Sequence, residues 1–146
     1  MASFYGIFLT IHLLCAITFI GAVFFEVLII EPLEKKLPSD ISAILAENIP
    51  RQVRLFMPVV VAALFLTGGA MYWVHYVNRP DFFHSLFGIL LTIKVGLAFI
   101  VLGIFATSLR AAAKGTMDLC RFRHTHRIVA VIMLVIVLLA KGMFYV

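Results

Sequence analysis

The sequence predicts an all-α fold, an integral membrane four-helix bundle forming a single domain over 1–146, and three observations lead there. Hydrophobic residues make up 64% of the chain and charged residues only 13%, whereas a soluble domain carries roughly a quarter charged residues. The apolar residues fall into four long runs, at 4–30, 53–77, 82–109 and 128–146. Each approaches or exceeds the roughly 20 residues a helix needs to cross about 30 Å of hydrocarbon.

The third observation is where the charges lie. Lys35, Lys36, Arg51 and Arg54 flank the first connection, and Arg110, Lys114, Arg121, Arg123 and Arg127 fill the third. The second has Arg79 balanced by Asp81, and no basic side chain precedes the first run. The positive-inside bias therefore predicts cytoplasmic first and third connections and two non-cytoplasmic termini. The net charge of +5 reads as a topology signal and a contact with lipid headgroups, not as a nucleic-acid site.

The first run is expected to be a retained helix, because it ends in Glu31-Pro32-Leu33-Glu34-Lys35-Lys36 without a small-residue cleavage pattern. His12 falls about two turns inside it, where an imidazole has no water to bond and must face a helix, a cavity or a ligand. Cys15, Phe19, Ala22 and Glu26 follow at three- and four-residue steps, so they share its face. Cys15 and Cys120 belong to different membrane depths, and both thiols are expected to be free.

Between spans 1 and 2, residues 38–50 place Ile41, Ile44 and Leu45 on one side, with Ser39 or Asp40 as a cap and Pro50 at the end. This predicts a short amphipathic helix on the cytoplasmic surface. The second span opens with Arg51, Arg54 and Pro58. Its arginines are placed to snorkel, and Pro58 removes the donor that the Arg54 carbonyl would use. Glu26 lies near the same boundary, within range of an ion pair with Arg54. Gly68-Gly69 permits close helix approach, and Tyr72, Trp73, His75 and Tyr76 form an outer aromatic belt.

In the third span Gly88, Thr92 and Gly96 recur every four residues, with Gly103 beyond. This is a small-residue face suited to helix packing and to a homo-oligomer. Lys94 lies near mid-span, out of reach of either headgroup region. Its insertion penalty, about 2.5 to 3.5 kcal/mol, must be offset by a partner or hydrated cavity, or avoided by deprotonation. Lys141 is near the outer end of the last span and can snorkel. Cys120, His124 and His126 in the third connection resemble metal ligands in type, but their setting is strongly cationic, and a solvated basic loop is expected.

No phosphate-binding glycine loop, His-Glu-x-x-His zinc motif or Gly-x-Ser-x-Gly elbow is present. What remains is an apolar bundle holding His12, Lys94 and Glu26. Such a bundle suits a haem, because a neutral imidazole can ligate iron while apolar side chains enclose the macrocycle.

The spans also resemble those of the HemJ-type protoporphyrinogen oxidases and the related CopD-like membrane domains. The likeness is carried by Ile11-His12, Phe19-Ile20-Gly21 and Phe24-Phe25, by Arg51 to Pro58 and Leu66-Thr67-Gly68, and by Ile93-Lys94-Val95-Gly96-Leu97. The resemblance implies a bacterial inner-membrane protein that binds haem b and acts as an oxidoreductase on protoporphyrinogen IX. It implies His12 as an axial ligand, Lys94 as the family's buried and catalytic lysine, and Arg54 within the cofactor-binding set. A porphyrin substrate and a quinone or other electron-transfer partner would follow, alongside membrane lipid.

The second axial position is open among Lys94, His75 and His84. A neutral Lys94 would ligate iron, while its ammonium would pair with a propionate or substrate. Two departures bear on the reaction: Phe105-Ala106-Thr107-Ser108 stands where the oxidases carry a Tyr-His pair, and Arg127-Ile128-Val129-Ala130-Val131 where they carry Asn-Glu-x-Pro. The CopD-like side of the resemblance implies copper handling or transport as the alternative.

Overall fold

The structure, a computed structural model, describes residues 2–115 and 119–145, the side chains of residues 2, 112, 119, 120 and 122 excepted. All the regular structure among the described residues is helical. Helix α1 (Ala2–Phe25) runs through a π turn (Glu26–Ile30) into the short α2 (Glu31–Glu34). Helix α3 (Ser39–Asn78), a 3-10 turn (Phe82–His84), α4 (Leu86–Ala113) and α5 (Leu119–Gly142) follow. Four stretches are long and apolar enough to cross a membrane: Ser3–Glu34, Ser39–Asn78, Leu86–Ala111 and Arg123–Gly142.

The packing is pairwise. Helix α1 lies along α3, α4 lies along α5, and smaller contacts join α1 to α5 and α3 to α4. Phe19 and Val23 meet Met57 and Val61, Val101, and Val129, Ala130, Met133 and Ile136 in the central core. Much of the remaining apolar surface faces outward, as it must in a bilayer, where helices associate through close packing because lipid is as apolar as leucine. The exposed hydroxyls of Thr10 and Thr18 donate to the carbonyls of Gly6 and Leu14, at 2.8 and 2.9 Å. That satisfies them without water.

Three sequence expectations change. Residues 39–49 are helical but continue without a break into the second span, so no separate surface helix forms. Pro50 does not end it. Glu47 pairs with Arg51 at 3.2 Å, Asn48 Nδ2 donates to the Ile44 carbonyl at 2.8 Å, and Arg54 Nε donates to the Pro50 carbonyl at 3.2 Å. These bonds support the turn around a proline that contributes no donor of its own.

The small-residue face on α4 is divided between different neighbours. A Cβ on Gly88 would fall 1.8 Å from the Phe82 carbonyl oxygen, so Gly88 admits the preceding turn of its own chain. The Thr92 hydroxyl bonds to the Gly88 carbonyl and to Tyr72, while Gly96 and Gly103 have no atom within 4 Å of an added Cβ.

The third change concerns the last span, which begins earlier than Ile128. Arg123 and Arg127 lie within α5 and pair with Glu34 and Glu31, so this part of the basic segment is not a solvated loop.

At the α3–α4 connection Phe82, 2% exposed, is ringed by Tyr72, Tyr76 and Phe83 with centroids 5.3 to 5.9 Å away. The residues read as an interfacial belt thus also bind the α3–α4 connection. Cys15 is a free, half-buried thiol; the side chain of Cys120 lies outside the described residues.

Candidate functional site

His12 is half-buried against α3. Its Nδ1 lies 3.1 Å from the Leu64 carbonyl oxygen and 3.1 Å from Thr67 Oγ1. A carbonyl can only accept, so Nδ1 carries the proton and donates. Thr67 is 6% exposed and its hydroxyl donates to the Ala63 carbonyl at 2.6 Å, which leaves its lone pairs directed to the imidazole. In a neutral ring this tautomer puts the remaining lone pair on Nε2. Gly68 makes the approach possible, because a Cβ there would lie 3.0 Å from Cε1 of His12.

Lys94 is half-buried on α4 and makes no hydrogen bond or ion pair among the described residues. It lies within electrostatic reach of the His12 ring. The two foremost sequence candidates therefore lie within electrostatic reach of each other, His12 anchored to α3 and Lys94 with no hydrogen bond or ion pair among the described residues.

The other candidates lie elsewhere. His75 Nε2 shares a hydrogen bond of 2.9 Å with the Tyr5 hydroxyl, and its ring packs edge-on against Phe87. Tyr5 precedes His12 by about two helical turns, so His75 lies roughly 10 Å along α1 from His12, towards the start of that helix. His84 is exposed in the 3-10 turn. Arg54 lies roughly 20 Å along α3 from Thr67 and Gly68, towards the start of the helix. It is not a neighbour of His12.

Arg54 instead rims a second feature, a cavity of about 370 Å³ at the end of the bundle where the π turn lies. Phe19, Met57, Phe105 and Val129 supply its apolar wall, and Glu26 and Arg54 line it together without forming an ion pair. Glu26 is 8% exposed. It opens the π turn, where the Glu31 N–H bonds back to the Glu26 carbonyl. In a regular helix residue i+5 lies well round the circumference, whereas in a π turn it comes almost beneath residue i. Glu26, Glu31 and Glu34 are thereby gathered on the buried side. Arg127 pairs with Glu31, and Arg123 pairs with Glu34 at 2.9 Å. Glu26 is left over.

Glu31 and Glu34, 3% and 5% exposed, were not singled out from the sequence. The available signal was their spacing from Glu26, joined to the basic residues of the third connection. Among the described residues no three His, Cys, Asp or Glu side chains gather as metal ligands. No family model, curated protein or solved structure matches the chain.

Proposed function

We propose that this chain is a haem b-binding, redox-active membrane protein in which His12 supplies an axial nitrogen. The observation that carries the reading is the bond from His12 Nδ1 to the Leu64 carbonyl. Metal-ligating histidines typically donate their second ring N–H to a carbonyl or carboxylate, which fixes the ring and raises the basicity of the other nitrogen. The residues present fit that role: a clamped imidazole, a glycine that admits it, and a lysine within electrostatic reach that has no hydrogen bond or ion pair among the described residues.

A b-type haem bound there supplies reversible one-electron chemistry. Leu64 and Thr67 hold His12 in one tautomer. Lys94 offers an ammonium to an anionic group of cofactor or substrate, or, when neutral, a lone pair. The resemblance to HemJ-type proteins supports a porphyrinogen-like substrate, hydrogen removal as the reaction class, and a bacterial inner membrane as the setting. The charge distribution supports two non-cytoplasmic termini. The test is the ultraviolet–visible spectrum and metal content of protein purified after expression with ample haem. A Soret band with stoichiometric iron is expected; no Soret band, or copper in place of iron, would overturn the reading.

A further inference from the structure

The inner cavity belongs to no part of the proposed haem site, and two of the charged groups that line it, Glu26 and Arg54, form no ion pair with each other. Glu26 is a carboxyl more than nine-tenths buried, faces the cavity and has no hydrogen bond or ion pair among the described residues. Its acidic neighbours Glu31 and Glu34 are already matched by Arg127 and Arg123. Arg54 also lines the cavity, and among the described residues its guanidinium is bonded only to the Pro50 carbonyl of its own helix. Arg51 joins it at the exposed rim, beside Glu47. The cavity therefore offers an acceptor for a cationic donor and, separately, a guanidinium for an anion. Above both lies an apolar wall of Phe19, Met57 and Phe105.

We infer that this cavity binds the head of an aminophospholipid, with the primary ammonium on Glu26, the phosphate on Arg54 and Arg51, and the first part of a chain against the apolar wall. The shared chemistry is a phosphate linked to a primary ammonium. Phosphatidylglycerol brings Glu26 only neutral hydroxyl donors and no cation, so its net charge is left uncompensated beside the carboxylate. A choline headgroup has no N–H and cannot form a charge-assisted bond with the carboxylate. The orientation also agrees with a bilayer amphiphile, since the charged groups lie towards the inner boundary and the apolar wall lies deeper.

The test uses the full chain in nanodiscs containing equal parts phosphatidylethanolamine, phosphatidylcholine and phosphatidylglycerol. The chain is extracted in mild detergent, and the lipid retained per protein is counted. Phosphatidylethanolamine should be enriched over both others by roughly tenfold or more, as one charge-assisted hydrogen bond warrants. Glu26→Gln should bring its ratio to phosphatidylcholine close to that of the bulk lipid, and Arg54→Gln should lower retention of all three. Should Glu26→Gln fail to fold, wild-type protein offered the mono- and dimethylated headgroups must show retention falling stepwise with lost N–H donors. Phosphatidylglycerol retained as well as phosphatidylethanolamine, or no enrichment, would overturn the inference. Displacement of the lipid by soluble phosphoethanolamine would overturn the lipid as its source. Haem content is read separately on the same samples, so this inference and the haem reading fail independently.

Discussion

The imidazole of His12 rests on the backbone of α3 at Gly68, where an added Cβ would come 3.0 Å from ring carbon Cε1. At Gly69, its neighbour, an added Cβ would meet no atom within 4 Å. The pair provides an internal control. Gly68→Ala should force the ring from the Leu64 carbonyl and cost about 1–3 kcal/mol as an overpacking change. Gly69→Ala should stay within about 0.5 kcal/mol of wild type or gain slightly from helix propensity. Thermal unfolding of both variants in the same detergent checks this; equal midpoints would show that the ring does not depend on the missing side chain.

Gly88 makes a stronger demand. Its Cβ position lies 1.8 Å from the backbone oxygen of Phe82, and backbone cannot move aside as a flexible side chain can. Gly88→Ala should therefore sharply reduce the folded yield, while Gly96→Ala, on open surface, should leave it unchanged. Size-exclusion recovery of the monodisperse protein reads the difference.

The ion pairs differ in worth because they differ in burial. Arg51 and Glu47 are both about two-thirds exposed, at 65% and 66%, whereas the Glu34 side chain opposite Arg123 is 3% exposed. Arg51→Met should cost no more than about 1 kcal/mol. Arg123→Met strands a buried carboxylate and should cost about 3–5 kcal/mol, with the double change Arg123→Met, Glu34→Gln recovering part of that loss. Chemical or thermal unfolding of the three variants orders them; Arg51→Met proving the most damaging would contradict the burial ranking.

Topology follows from the connections. The basic residues 110–127 and 35–54 should lie in the cytoplasm and both termini outside it. A carboxy-terminal alkaline phosphatase fusion should be active and a carboxy-terminal fluorescent protein dark; the reverse pattern would invert the orientation.

The four apolar spans were legible because length and apolarity are local properties of the chain. So was the need for His12 to face another helix, since an imidazole at that depth has no water. The pairing of Arg123 and Arg127 was not. Their partners Glu34 and Glu31 are 89 and 96 residues away in sequence, and nothing in a basic segment says which distant acid will fold beside it. Pro50 read as a helix end because proline lacks a donor, yet side-chain bonds from Asn48 and Arg54 and the Glu47–Arg51 pair span the gap. Gly88 fitted a helix-packing pattern while serving a turn in its own chain. The π turn at Glu26 has no sequence signature, although it gathers three carboxylates on one side of the bundle.

Iron ligation by His12 is tested most directly by oxidised and reduced absorption spectra of wild type, His12→Ala, Lys94→Met, His75→Ala and His84→Ala, each compared at equal folded yield. Wild type should show a Soret band that His12→Ala loses. His75→Ala and His84→Ala should keep it, because one ring is held by Tyr5 and the other is exposed. Lys94→Met should shift the band or lower the haem content. A His12→Ala protein with unchanged haem occupancy and unchanged iron coordination would contradict the assignment, whatever the other variants showed.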